Sequence, residues 1–231
     1  MEYVLDEAAE ELPGASIPPP LTSLPMEMFL VQPIPAWKRL MDLLGATMGL
    51  ALFSPLLVGV AIAVKLSSRG PLIFKQQRAG LGGRPFTMYK FRTMVADAEA
   101  QLEKLKAANE QDGAAFKMRH DPRVTPVGRF LRKMSLDELP QLVNVLKGDM
   151  TLVGPRPLPS QQSALCAQWQ RRRLDVTPGL TCIWQVRGRS QVKFDDWVRM
   201  DMTYIRKRTF WQDLKILLQT TPAVLKGKGA Y

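Results

Sequence analysis

Cysteine and histidine are nearly missing from this sequence. Cys166 and Cys182 stand in no C-x-x-C or metal-ligand spacing, and His120 is the sole imidazole. A disulfide framework and a zinc site are thereby excluded as organising features, a reducing cytosolic setting fits, and both cysteines read as buried packing residues. Lysine and arginine are missing from the first 37 positions, which hold six acids (Glu2, Asp6, Glu7, Glu10, Glu11, Glu27). No internal repeat is visible. No basic segment leads into an apolar core in the first residues, so no secretory signal is expected there.

What is present is positive charge. The formal charge of +11 becomes +17 over residues 38–231, where 32 bases face 15 acids. A body this basic expects a polyanionic partner: nucleic acid, anionic lipid headgroups or phosphorylated substrates. No recognised DNA- or RNA-binding motif accompanies the charge, which speaks against nucleic acid.

Residues 1–36 hold seven prolines among acids and small residues and read as a disordered or loosely docked tail. Residues 37–69 contain the apolar run Leu43–Val64, 22 positions without a charge, the length of a membrane-spanning helix. Ser54-Pro55 interrupts it, and proline removes a backbone hydrogen bond, so a bend is expected there. Lys38 and Arg39 precede the run, while Lys65 and Arg69 follow it. Bases favour the cytoplasmic side, and bases at both ends fit best if both ends lie on that side. Each arm is then about 11 residues, or roughly 16 Å, about half the hydrocarbon thickness. The expectation is a re-entrant helix-break-helix; a kinked full span is the alternative.

Residues 70–231 read as an α+β, mainly helical domain. Short strands are expected at 72–74 and 86–89 around the turn Ala79–Gly83, whose Gly-x-Gly is a hairpin signal more than a nucleotide loop. Helices are expected over 96–109, 126–133, 136–146 (ending at Gly148), 160–173, 194–208 and 211–228, with 111–121 as a loop. The last helix mixes Trp, Leu and Ile with lysines and suits a membrane surface.

One stretch could carry chemistry. In Ser135-Leu136-Asp137-Glu138 a serine cap with a glutamate three residues on is the capping-box pattern, which accounts for Ser135 and Glu138 without catalysis. The same geometry would place Asp137 at a helix N-terminus, a natural phosphate site. A carboxylate there can attack phosphorus if a divalent ion and nearby bases offset the repulsion between anions. Arg123, Arg129, Arg132 and Lys133 precede the pair, Arg156 follows within Gly154-Pro155-Arg156-Pro157, and Lys90 and Arg92 could add a second anion clamp. Taken singly, each base also fits a solvated or lipid-facing charge.

The order of segments resembles the bacterial sugar transferase family, the monotopic phosphoglycosyl transferases. The matching pieces are the Ser54-Pro55 interruption, Lys90-Phe91-Arg92-Thr93-Met94, Asp121–Thr125, Ser135–Gln141, Gly148-Asp149-Met150 through Pro157, Thr177–Thr181, Gln185-Val186 and Gly188-Arg189. The resemblance covers roughly residues 36–225 and implies a monotopic membrane protein of the bacterial inner membrane with its site on the cytosolic face. It implies Asp137 as nucleophile and Mg²⁺ ligand, with UDP-sugar as donor and undecaprenyl (polyprenyl) phosphate as acceptor. The products are UMP and a polyprenyl-diphosphate sugar, the first step of exopolysaccharide, O-antigen or capsule synthesis. Glu138 is expected to orient Asp137 or to help deprotonate the lipid phosphate. Arg132 and Arg156 match positions near the phosphates, and Asp201 matches an acidic position of unclear role.

The sequence departs from the pattern at Cys182-Ile183-Trp184, where many members have Gly-Trp-Ala, which bears on donor preference. The 36 leading residues suggest the short, core-only form. A homodimer and a non-catalytic membrane scaffold remain open, as does the donor sugar, with glucose and galactose the commonest choices by resemblance.

Overall fold

The computed structural model describes residues 31–95, 97–105, 118, 120–187 and 192–226. The expectations for residues 1–30, for most of 106–119 and for Gly188-Arg189 fall outside them.

Helix α1 runs from Ala36 to Ser67, 32 residues, with Pro55 inside. Where a helix-break-helix was expected, one helical element continues through Ser54-Pro55. Proline cannot donate to the carbonyl four residues back, but the Ser54 hydroxyl donates to that same carbonyl, of Ala51, at 2.8 Å. The helix stops where Ser68 turns extended and Gly70 takes a φ of 124° ahead of Pro71.

Both ends of α1 are fastened to the same body. At the start, Lys38 donates to the Val153 carbonyl at 2.8 Å and Arg39 donates to the carbonyls of Val145 and Leu146, each at 2.7 Å. Asp42 accepts from Thr151 Oγ1 at 2.9 Å and Leu152 N at 2.8 Å. At the far end, Val60 and Val64 are buried with Phe91 and Leu131, and Arg92 donates to the Ser68 carbonyl at 2.6 Å. Between these attachments, residues 51–56 are exposed all round, and Met48, Leu52 and Val58 are 68%, 70% and 60% exposed. Apolar surface of that extent on a helix long enough to cross a bilayer is a membrane-associating element.

The hairpin is longer than expected. Strands β1 (Ile73–Ala79) and β2 (Pro85–Phe91) pair antiparallel, with Arg78 opposite Phe86 and Phe74 opposite Lys90. Gly82 at φ 60° and Gly83 at φ 77° make the reversal, a conformation open to glycine at little cost. Helix α2 (Ala98–Leu105) follows, then α3 (Pro126–Lys133), which begins as expected from proline in its first turn and a Thr125 cap accepting from Gly128 N at 2.9 Å.

The expected helix 136–146 is instead a 3₁₀ turn, Leu136–Glu138, followed by α4 (Gln141–Lys147), which ends at Gly148 with φ 88°. Strand β3 (Thr151–Val153) pairs in parallel with β4 (Gly179–Thr181), a pairing not anticipated. The two chains approach so closely that a Cβ on Gly179 would stand 2.0 Å from Gly154 N, so glycine is required there.

The expected helix 160–173 is divided into α5 (Ser160–Ala164), α6 (Gln168–Arg171) and a 3₁₀ turn, Arg172–Asp175. Helices α7 (Ile183–Arg187), α8 (Phe194–Lys207) and α9 (Phe210–Lys226) complete the body. The central core joins Ala46 of α1 with Met88, Leu142, Val145, Met150, Val153, Tyr204 and Ile216. On α9, Asp213 and Ile216 face inward, while Trp211 and Leu218 are exposed. Both cysteines are free and buried, as expected.

Candidate active site

The site is built on the turn between α3 and α4. Ser135 has φ 54° and ψ 22°, the one non-glycine residue with positive φ among the described residues. A left-handed serine is uncommon and such strain concentrates at functional sites. It turns the chain so that Asp137 and Glu138 face the hairpin. The Ser135 side chain makes no capping hydrogen bond, so the expected capping box is absent. Glu138 is occupied elsewhere: it accepts from Lys90 of β2 at 2.9 Å and is gripped at both oxygens by Arg156, once at 3.0 Å and once in a second, shorter contact.

The two adjacent carboxylates are thus held differently. The Asp137 side chain has neither a hydrogen bond nor an ion pair among the described residues, although it is only 6% exposed. Burial, then the charge of Glu138, raises its pKa, while Lys90, Arg132 and Arg156 pull the other way. Burial would also raise Glu138, but Arg156 first and Lys90 next outweigh it and hold that carboxyl far below the ordinary range. Arg132 donates from Nε to Thr93 Oγ1 at 3.0 Å, and Asp137 is the acid that acts on it most strongly.

Arg156 is positioned from behind. Hydrogen bonds from Thr151 N to Pro178 O (2.8 Å), Gly154 N to Thr181 O (3.0 Å) and Gly179 N to Pro155 O (2.9 Å) fix the Gly154–Pro157 backbone. Arg173 donates to the Arg156 carbonyl at 2.7 Å and to Asp201 at 2.8 Å. Burial raises the Asp201 pKa to about 6, with Arg173 opposing.

The candidates named from the sequence therefore fall into two groups. Asp137, Glu138, Lys90, Arg132 and Arg156 converge. Arg92, Arg123 and Asp201 do not join them. Arg92 clamps the end of α1 through Ser68 and Pro71, and Arg123 is forked onto Asp121 at 2.9 and 2.6 Å. Asp201 supports Arg156 through Arg173. Ser54 and Pro55 lie in the exposed part of α1, where the Ser54 hydroxyl bonds within the helix itself.

Two bases went unforeseen, Arg78 and Arg173. Arg78 donates to Gln76 Oε1 at 2.9 and 2.7 Å and to the Pro157 carbonyl at 2.7 Å, beside Arg156. The alternation of the hairpin strand was its only sequence signal, and that reads equally as an outward face. Two surface hollows of about 520 and 560 Å³ are lined by other residues (Gln32, Trp169, Arg206 and Val192, Asp196, Arg199 among them) and do not include the carboxylate pair.

A hairpin carrying a lysine onto an Asp-Glu turn, an arginine held between prolines and an exposed apolar helix define a membrane-associating chain with a carboxylate pair set among cations. The bacterial sugar transferase family model matches residues 34–227, and the chain belongs to that family. It is 43% identical over 194 residues to the galactosyl transferase CpsE of Streptococcus agalactiae, covering 84% of this chain and 43% of that protein. It is 43% identical over 198 residues to the undecaprenyl-phosphate galactose phosphotransferase of Salmonella typhimurium, covering 84% of this chain and 41% of that protein. The chain thus spans less than half the length of these two relatives. Against the exopolysaccharide production protein ExoY of Rhizobium meliloti the identity is 39% over 213 residues, covering 90% of this chain and 94% of that protein.

Proposed function

We propose that this chain transfers a sugar phosphate from a UDP-sugar to a polyprenyl phosphate such as undecaprenyl phosphate, through a covalent intermediate on Asp137, and so begins an exopolysaccharide-type glycan. One observation carries this reading: of two adjacent carboxylates, the half-buried Glu138 is fully engaged by Lys90 and Arg156, while the buried Asp137 has no hydrogen-bond or ion-pair partner among the described residues and stands next to a surplus of cations. The relatives' names, which include an undecaprenyl-phosphate galactose phosphotransferase, support the substrate class.

In the first step an Asp137 oxygen attacks the sugar-bearing phosphorus, and the bond from that phosphorus to the bridging oxygen breaks. UMP leaves with the electron pair. In the second step an oxygen of the polyprenyl phosphate attacks the same phosphorus and the Asp137 carboxylate departs, giving the polyprenyl-diphosphate sugar. Arg132 and Arg156 offset the charge of the approaching phosphates. Glu138, far below its ordinary pKa and doubly bound, is a poor base, and its role is to hold Lys90 and Arg156 in place.

Mg²⁺ fits as a substrate-shared ion. The described residues contain no cluster of three acidic, His or Cys ligands, and Asp137 alone has a carboxylate to spare, which matches the habit of Mg²⁺ to use one or two carboxylates plus substrate phosphates. When bound, it would supply Lewis-acid neutralisation of phosphate charge.

Attachment of both ends of α1 to one body supports a re-entrant course, with residues 51–56 in one leaflet and the site at the cytosolic headgroup level. Cysteine labelling at positions 37 and 69 should find both on the cytosolic side; opposite sides would sink this course. For the chemistry, intact-mass measurement after incubation with UDP-glucose or UDP-galactose and Mg²⁺ should show a phosphosugar adduct lost in Asp137→Asn. Full activity in that variant with no adduct in the parent chain would overturn the reading and favour a non-catalytic scaffold.

A further inference from the structure

Arg78 is a half-buried cation that the chemistry above does not use. Three of its N–H groups are spent on neutral acceptors, Gln76 Oε1 twice and the Pro157 carbonyl once. Among the described residues it has no carboxylate partner. The nearest acid to act on it is Glu138, whose oxygens Lys90 and Arg156 already occupy, and Arg156 and Arg173 repel it. A guanidinium half withdrawn from water without a counter-ion carries a desolvation cost that an arriving anion would offset. A second observation points the same way: Arg173, 4% exposed, has its Nη1 buried with no acceptor among the described residues.

The charges can be counted. Lys90, Arg78, Arg132 and Arg156 face Asp137 and Glu138, an excess of two positive charges, with Arg173 and Asp201 cancelling behind them. A diphosphate diester carries two negative charges, which fills that excess. The cations are also ordered along the fold. Lys90, paired with Phe74 near the open end of the hairpin, reaches Glu138, whereas Arg78 stands nearer the turn, opposite Phe86, and reaches the Pro157 carbonyl beside Arg156. In an in-line displacement the nucleophile and the leaving oxygen lie on opposite sides of phosphorus. A leaving group that departs on the Arg156 side of a phosphate at Asp137 meets Arg78 next, because Arg78 is bonded to the residue that follows Arg156.

We infer that Arg78, held flat by Gln76 and the Pro157 carbonyl, binds the nucleoside-side phosphate of the donor and receives the nucleoside monophosphate as it leaves. This rests on the reading of the site given under Proposed function. It makes Arg78 a donor-binding residue with no part in holding the polyprenyl phosphate, which enters after the nucleotide has gone.

The test is titration of UMP into the full chain in detergent micelles, by calorimetry, for the parent, Arg78→Gln and Arg78→Lys. Loss of a charge-assisted hydrogen bond should weaken UMP binding about ten- to hundredfold in Arg78→Gln. Arg78→Lys keeps the charge but loses the planar fork and should fall between, which keeps the inference testable if the glutamine variant does not fold. The KM for polyprenyl phosphate should stay unchanged; a merely structural role would disturb both substrates alike. UMP affinity equal to the parent's in both variants, or no UMP binding by the parent chain, overturns the inference. UMP binding that depends on Arg78 while no adduct forms on Asp137 would instead sink the covalent reading and leave the nucleotide subsite standing.

Discussion

Glutamine at position 138 would keep the shape of the side chain and remove its charge, which separates a brace for cations from a proton acceptor. The Glu138, Lys90 and Arg156 side chains are only 16%, 15% and 20% exposed. Removing one partner from a buried ion pair costs about 3–5 kcal/mol, because the remaining charges stay buried. Residual solvent access here places the loss at the low end, about 3 kcal/mol, and a domain of this size loses about 2–4 °C in Tm for each kcal/mol. The expected fall is therefore about 6–12 °C, followed by circular dichroism in micelles. The folded carboxyl is depressed, so the parent's advantage over Glu138→Gln is present above the unfolded value near pH ~4.3 and fades as the pH drops below it. As a brace, Glu138→Gln should also slow UMP release in the donor half-reaction. An unchanged Tm, with only transfer to polyprenyl phosphate slowed, would refute the brace and restore Glu138 as a base.

Three further outcomes follow from the geometry. The raised pKa of Asp137 means that its ionised carboxylate is lost, as pH falls, above the ordinary aspartate range; with Asp137 as the proposed nucleophile, Arg132→Gln should move the acid limb of donor half-reaction rates higher and Glu138→Gln should move it lower. Lys38→Met leaves Asp213 buried beside Tyr204 without its cation and should cost about 3–5 kcal/mol in denaturant unfolding, much of it recovered in Lys38→Met/Asp213→Leu. Gly179→Ala places a methyl 2.0 Å from Gly154 N and 2.6 Å from Gly154 O; it should cost about 1–3 kcal/mol and reduce UMP release further than a matched core variant, because Gly154–Pro157 carries Arg156.

What the sequence made legible was local. Pro126 after Thr125, Gly148 after α4 and the glycines of the hairpin turn each act within a few residues; the start of α3, the end of α4 and the turn itself are where they were expected, while the strands the turn joins run longer. The pairing of Thr151–Val153 with Gly179–Thr181 joins three-residue strands across an intervening stretch, and so short a run has no periodicity to read. The helix expected over 160–173 carried no proline or glycine to announce its divisions; Arg171 instead turns back to the carbonyls of Cys166 and Ala164. At the site the residue types were readable, but their allegiance was not. Glu138 has the spacing of a helix cap, and its actual partners come from 48 residues before and 18 after. Arg92 and Arg123 looked equivalent to Arg132 and Arg156 because a sequence shows charge without showing what the fold has already matched to it.

The double attachment of α1 has a mechanical consequence. A body hung from one end of a membrane helix can swing and rise by the slack of its tether. Here Lys38, Arg39 and Asp42 pin one end, and Arg92 with Val60 and Val64 pins the other, so the handle and the cup are one piece. The height of the Asp137 carboxylate above the exposed segment 51–56 is then a fixed length of the molecule, as the depth of a ladle is fixed by its bowl. On the re-entrant course proposed above, a partner anchored in the same layer would meet Asp137 by sideways diffusion alone, and lengthening the chain ahead of Ala36 would leave that meeting height unchanged.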